Sequence, residues 1–239
     1  MDPFFLIGVS FLTSTFTAII GVGGGIALIS VMPGLLPAAA IIPVHGAVQL
    51  ASNASRVFFG LRHIEWRIFW PFAGGALLGA VVGAQVVGDF SFDNLPLYLG
   101  VFILLVIWVP VPSSAFRLPG HFAIFGALQT FLALFVGVAG PLTGAFLASA
   151  GLPKDRLVIT HGTVMTVTHL CKILVFGFVG FAFAPYLPLI AGMIGAATLG
   201  SWCGTRLRNR VSEKLFRKVF RIAITLLCLR MIAETLYPA

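Results

Sequence analysis

The chain repeats itself at an offset of 116 residues, and this constrains its fold more than any other feature. Gly21-Val22-Gly23-Gly24-Gly25 returns as Gly137-Val138-Ala139-Gly140-Pro141; Pro37 returns as Pro153, His45-Gly46 as His161-Gly162, and Arg56 as Lys172. No gap is needed between those points, so the correspondence is an internal duplication. Both copies interrupt apolar runs with glycines and polar side chains. Hydrophobic residues make up 59% of the 239 and charged residues 9%, with a mean hydropathy of +1.06. A water-soluble domain carries roughly a quarter charged residues, and this chain falls far short. It reads as an all-α membrane protein, long enough for about eight spans at ~20 residues each.

Residues 4–20 read as an apolar helix that halts at the glycine cluster, and 26–36 as a shorter apolar piece ending at Pro37. Together they form a broken helix or a re-entrant hairpin, because backbone freed at membrane depth must be received by protein or a cavity. A polar-striped span 41–61 follows, then the basic loop 62–67, a span 69–87, an acidic loop with Asp89 and Asp93, and a short span 95–109. Residues 1–110 thus make a first transmembrane repeat, 111–120 a linker, and 121–239 a second repeat. The second holds apolar pieces 122–136 and 142–152, a striped span 157–178, a span 185–203, a basic stretch 206–221 and a last span 222–236. Gly75, Gly79 and Gly83, like Gly200 and Gly204, fall four apart, a small-residue face that lets another helix approach closely.

The formal charge of +8 sits in short segments between apolar runs. That is the pattern of cytoplasmic loops, not of a nucleic-acid surface. If 122–152 enters the bilayer and returns, four crossings separate Arg67 from Arg206, and both basic clusters face the cytoplasm with Arg117, Lys154 and Arg156. Asp2, Asp89, Asp93 and Glu234 then face outside. Each repeat becomes one re-entrant hairpin plus three spans, and the odd number of crossings inverts one copy relative to the other. Residues 1–3 lack the basic start of a cleavable signal. Cys171, Cys203 and Cys228 lie in apolar stretches without metal-ligand spacing and read as buried free thiols.

His45, Gln49, Asn53 and Arg56 are spaced four, four and three apart and share one helical face. The corresponding face of the second copy carries His161, Met165, His169 and Lys172. Polar groups in a membrane helix are costly and point into the bundle or a watery cavity; as pure helix–helix glue they would not need to end in a cation twice. A chain break followed by a helix start also presents free N–H groups and a positive dipole end. Inverted repeats bring such breaks together at the midplane. Candidate substrate contacts are therefore Gly23, Gly24, Gly25 and Gly140 with His45, Gln49, Asn53, Arg56, His161, His169 and Lys172. Cations, amides and imidazoles with no carboxylate at that depth describe an anion site. His45 and His161 are the candidates to take up a proton. No cofactor and no metal is expected, the spacing of His45, His161, His169 and Cys171 not being that of a metal site.

The glycine motif 21–25, Pro37, the segment His45 to Asn53, the loop through His63 and the degenerate second copy from Gly137 resemble the TauE/SafE family of sulfite and organosulfonate exporters, also called the toluene-sulfonate uptake permease family. The resemblance covers nearly the whole chain. It implies a multi-pass secondary transporter of small sulfur-containing anions, such as sulfite or sulfoacetate, in the bacterial inner membrane. The second copy departs from the first in Pro141 opposite Gly25 and in His169 opposite Asn53, so the two half-sites need not contact an anion alike. The competing readings are an anion channel and a membrane-embedded enzyme using His and Cys171. The latter lacks an intramembrane Asp or Glu to orient a histidine.

Overall fold

The computed structural model describes residues 3–20, 23–58, 60–109, 120–138, 140–207 and 213–237. The described residues form ten α-helices and two short 3-10 turns, with no strand. The first half contributes α1 (Pro3–Ile20), α2 (Gly24–Val31), α3 (Ala38–Phe58), α4 (Trp66–Val87) and α5 (Leu95–Trp108). The second contributes α6 (His121–Val136), α7 (Gly140–Ala148), α8 (Lys154–Phe178), α9 (Leu187–Leu207) and α10 (Glu213–Leu236). The expected linker lies, apart from Gly120, outside the described residues, as does part of the basic stretch 206–221.

Both expected interruptions are present. α1 ends at Ile20 and α6 at Val136, and the chain resumes helix at Gly24 and Gly140. Gly23 (φ 109°) and Gly137 (φ 68°) hold left-handed conformations that an L side chain resists. In both copies the chain folds back on itself. A Cβ on Gly24 would strike Thr13 and Thr17 of α1. Phe146 in α7 stacks on Phe125 of α6 at 4.0 Å and meets Phe122 edge-on at 5.3 Å, so α7 runs back toward the start of α6.

The equivalent helices α3 and α8 pack on each other in antiparallel register. Gly46 abuts the Lys172 side chain, His45 lies edge-on to His169, and Gly162 lies against Val57 and the Asn53 carbonyl. Around this pair the two halves exchange partners: α1 packs along α9 and α4 along α6. Here the glycine faces read from the sequence are used. A Cβ on Gly75 or Gly79 would collide with the carbonyls of Ala123 or Ala127, and one on Gly200 or Gly204 with those of Phe11 or Thr15. Backbones meet without side chains between them, the close approach that stabilises helix pairs in lipid. Likewise α5 packs on α10, with Gly100 against Cys228 and Ile232, and Trp108 Nε1 donating to Thr225 Oγ1 at 3.1 Å.

Residues 66–87, 154–178 and 184–207 form three helices long and apolar enough to cross a membrane. α1, α5 and α6 are shorter apolar helices. Among the described residues this is fewer full-length candidates than total length suggests: the apolar residues at the two breaks are divided between short helices, and α3 and α10, though long, carry too many polar or charged side chains. The outward faces carry large apolar side chains such as Leu78, Leu128, Leu174 and Phe178, which water would not tolerate in such number. At one end Trp66 stacks on Trp70 beside the basic loop, an arrangement suited to the headgroup region. Arg156 reaches Glu65 at 3.0 Å, and the Glu65 N–H donates to Thr160 Oγ1 at 3.0 Å. The α3–α4 loop and the start of α8 therefore share an end of the molecule, as the charge pattern requires. The three cysteines are free, Cys171 and Cys228 being buried.

Candidate anion site

Between the two breaks and the α3–α8 pair lies a small cavity of about 30 Å³, room for roughly one or two waters. Gly23, Gly25 and Ile26 line it from the first break, and Gly137, Val138, Gly140 and Pro141 from the second. α3 contributes His45, Gln49, Asn53 and Arg56; α8 contributes His161, Met165 and His169; α1 adds Thr17. Nine of the eleven residues singled out from the sequence border this one space. Gly24 and Lys172 do not. Gly24 faces α1, where it permits the turn-back, and Lys172 is spent elsewhere.

The stripe on α3 is built as a relay. Its four polar side chains are each at most 5% exposed. Asn53 Nδ2 donates to the Gln49 carbonyl at 2.7 Å, while Asn53 Oδ1 accepts from Arg56 Nη2 at 2.7 Å. Arg56 Nε donates to the Ser52 carbonyl at 3.3 Å. Asn53 thus fixes the guanidinium, and its amide is already committed at both ends. Two histidines hold the two breaks in matching fashion. His45 Nε2 donates to the Gly25 carbonyl and His161 Nε2 to the Gly140 carbonyl, both at 2.9 Å. These bonds fix the proton on Nε2 and leave each Nδ1, which has no hydrogen-bond partner among the described residues, as a bare acceptor in the neutral ring.

Lys172 is fully buried, and its ammonium donates to the Gly137 carbonyl at 2.9 Å. Gly137 caps the C-terminal end of α6, where unsatisfied carbonyls favour a cation. Its position two turns beyond Met165 on the striped face suggested an anion contact; the carbonyls exposed by the second break take it instead. Lys172→Met is expected to cost about 1.5–3 kcal/mol of stability, the range for a hydrogen bond to a charged group, read as a lowered melting temperature in detergent. Unchanged melting would show that the ammonium does not hold the break.

Sequence reasoning passed over the supports behind the second half-site. Gln129 of α6 accepts from Thr168 Oγ1 at 3.0 Å and reaches Met165 Sδ at 3.7 Å, and Thr130 lies beside it. A lone glutamine in an otherwise apolar helix was the available signal. Among the described residues, no cluster of His, Cys, Asp and Glu suits a metal ion. A fixed guanidinium and two helix starts border the cavity, and its described lining residues include no carboxylate.

The family model for the sulfite exporter TauE/SafE matches residues 6–231. A Cupriavidus necator protein named probable sulfite/organosulfonate exporter TauE is 32% identical over 135 residues, 53% of this chain and 53% of that protein. The match thus spans about half the length of this curated relative. No solved structure matches the chain.

Proposed function

The chain belongs to the TauE/SafE sulfite exporter family, and from that premise we propose that it is a multi-pass secondary transporter of small sulfur-containing anions in a bacterial inner membrane. The observation that carries this reading is the convergence of both glycine breaks and the fixed Arg56 guanidinium on one buried cavity without carboxylates. Sulfite and compact sulfonates present the oxyanion such a donor set suits. The anion contacts would be the amides near Gly23, Gly25 and Gly140, with Gln49, Arg56 and His169.

Two inverted repeats, 1–110 and 121–239, fit the packing. Equivalent helices related by an axis in the membrane plane run antiparallel, as α3 and α8 do, whereas an axis along the membrane normal would make them parallel. The exchange of α1–α9 and α4–α6 partners fits a two-fold relation between the halves, whichever way its axis runs. Each copy would be one re-entrant hairpin and three spans, with the Arg156–Glu65 end in the cytoplasm. Alternating access would expose the cavity first to one side and then to the other.

The test is flux in proteoliposomes loaded with labelled sulfite or sulfoacetate. Saturable movement of unmodified anion, with turnover far below channel rates, is expected. Chemical conversion of the anion would indicate an enzyme, and non-saturating rapid flux a channel. Either result would overturn the carrier reading.

A further inference from the structure

The two half-sites differ at several paired positions, Gly25/Pro141, Gln49/Met165 and Arg56/Lys172 among them, and one further pair stands out. Where α3 carries Asn53, α8 carries His169. Asn53 is consumed in fixing Arg56. His169 is 3% exposed and borders the cavity, yet neither of its ring nitrogens is hydrogen-bonded among the described residues, and Nδ1 is fully enclosed. A buried polar nitrogen without a partner costs about 1–3 kcal/mol, a cost that a ligand or a proton can relieve. His45 and His161 are differently placed, since each is already tied to a break carbonyl.

Resting on the anion-site reading above, we infer that His169 binds a proton together with the anion, so that the transported unit is one anion plus one proton carried on this imidazole. The groups around His169 set the coupling. His45 and Arg56 lie toward it from α3, and His161 and Lys172 share its helix. The buried faces of α4, α6 and α7, which also pack on α8, bring no titratable side chain, and the 3-10 turn Leu61–His63, which meets α8 and carries Arg62 and His63, buries neither of them. With no anion present, two cations and no carboxylate oppose a third positive charge. An anion seated beside Arg56 offsets the repulsion from those cations, though not the cost of burying the charge, so proton and anion assist each other's binding. His45 lies 5.8 Å away, edge-on. Two imidazolium rings at that distance repel, which limits the load to one proton.

The proton balance is simple. One proton passes from water on the loading side to the His169 ring, crosses with the anion, and returns to water on release. For a monoanionic sulfonate the moving load is neutral overall; for a dianion it carries one negative charge.

The probe is methanesulfonate, which holds no proton of its own near neutrality, so any proton taken up must reside on the protein. Titration calorimetry of the purified full chain, in two buffers of different ionisation enthalpy, counts the protons absorbed per anion. The wild type is expected to absorb up to one proton, with affinity rising as pH falls between 8.5 and 5.5, by up to about tenfold per pH unit. His169→Asn, which copies the residue of the other half-site, and His169→Gln are expected to absorb none and to bind with flat pH dependence. Two substitutions guard against one misfolding, with melting temperature as the control. Binding by the wild type without proton uptake, or uptake unchanged in a folded His169 variant, overturns this inference alone. No binding of methanesulfonate, sulfite or sulfoacetate at any pH overturns the anion site itself.

Discussion

Replacing Arg56 with alanine is expected to weaken anion binding by about 30-fold to several thousand-fold. The range follows from the ~2–5 kcal/mol lost when one member of a buried, hydrogen-bonded charge pair is removed. Arg56 is 2% exposed and is oriented by Asn53 at 2.7 Å and Ser52 at 3.3 Å, so little ordering remains to be done when an anion arrives. Arg56→Lys should recover part of the loss, because the charge remains while the planar fork that matches an oxyanion does not. Asn53→Ala should fall between the two, leaving a guanidinium less well aimed. The measurement is sulfite or sulfoacetate affinity of folded, detergent-solubilised protein. Wild-type affinity in Arg56→Ala would remove the cavity from consideration as the binding site.

The second large effect concerns assembly. Gly79→Leu drives a side chain into the Ala127 carbonyl of α6, and neither backbone can yield without separating α4 from α6. Overpacking costs about 1–3 kcal/mol even where side chains can adjust, and here the obstacle is main chain. The expected result is loss of the monodisperse folded species in detergent. Gly74→Leu, on the same helix five positions away, is the control, since a Cβ there meets nothing within 4 Å. It should leave melting essentially unchanged. Equal damage from both would show that the loss comes from bulk on the helix and not from the α4–α6 contact.

Much of this architecture was legible because lipid leaves few options for a backbone. The glycine clusters had to break helices, and they do at Ile20 and Val136. The glycines at 75, 79, 200 and 204 had to face another helix, although period alone could not say that the partner belongs to the opposite half. The α3 stripe was readable because four polar residues at helical spacing have nowhere else to point. What stayed hidden depended on distant partners. Lys172 lies on the correct face, but its bond to the Gly137 carbonyl depends on where α6 ends relative to α8. Gly24 belongs to the motif that forms the first break, but its own Cα faces Thr13 and Thr17. Element edges also moved. α3 begins at Ala38, directly after Pro37, and absorbs Pro43 in its second turn, where an apolar count had started the span at 41. α10 begins at Glu213, well before the apolar run at 222, because charged residues extend a helix as readily as apolar ones.

The glycine seams have a mechanical meaning. At Gly75 and Gly79 on α4, and at Gly200 and Gly204 on α9, main chain rests on the main chain of α6 and of α1, with little side chain between them to act as a lubricating layer. Sliding would force each carbonyl over the next ridge, so these pairs behave as welded struts. In the alternating-access cycle proposed above, these pairs would rock as intact bodies, with the flexing left to α2 and α7 and to Gly23 and Gly137.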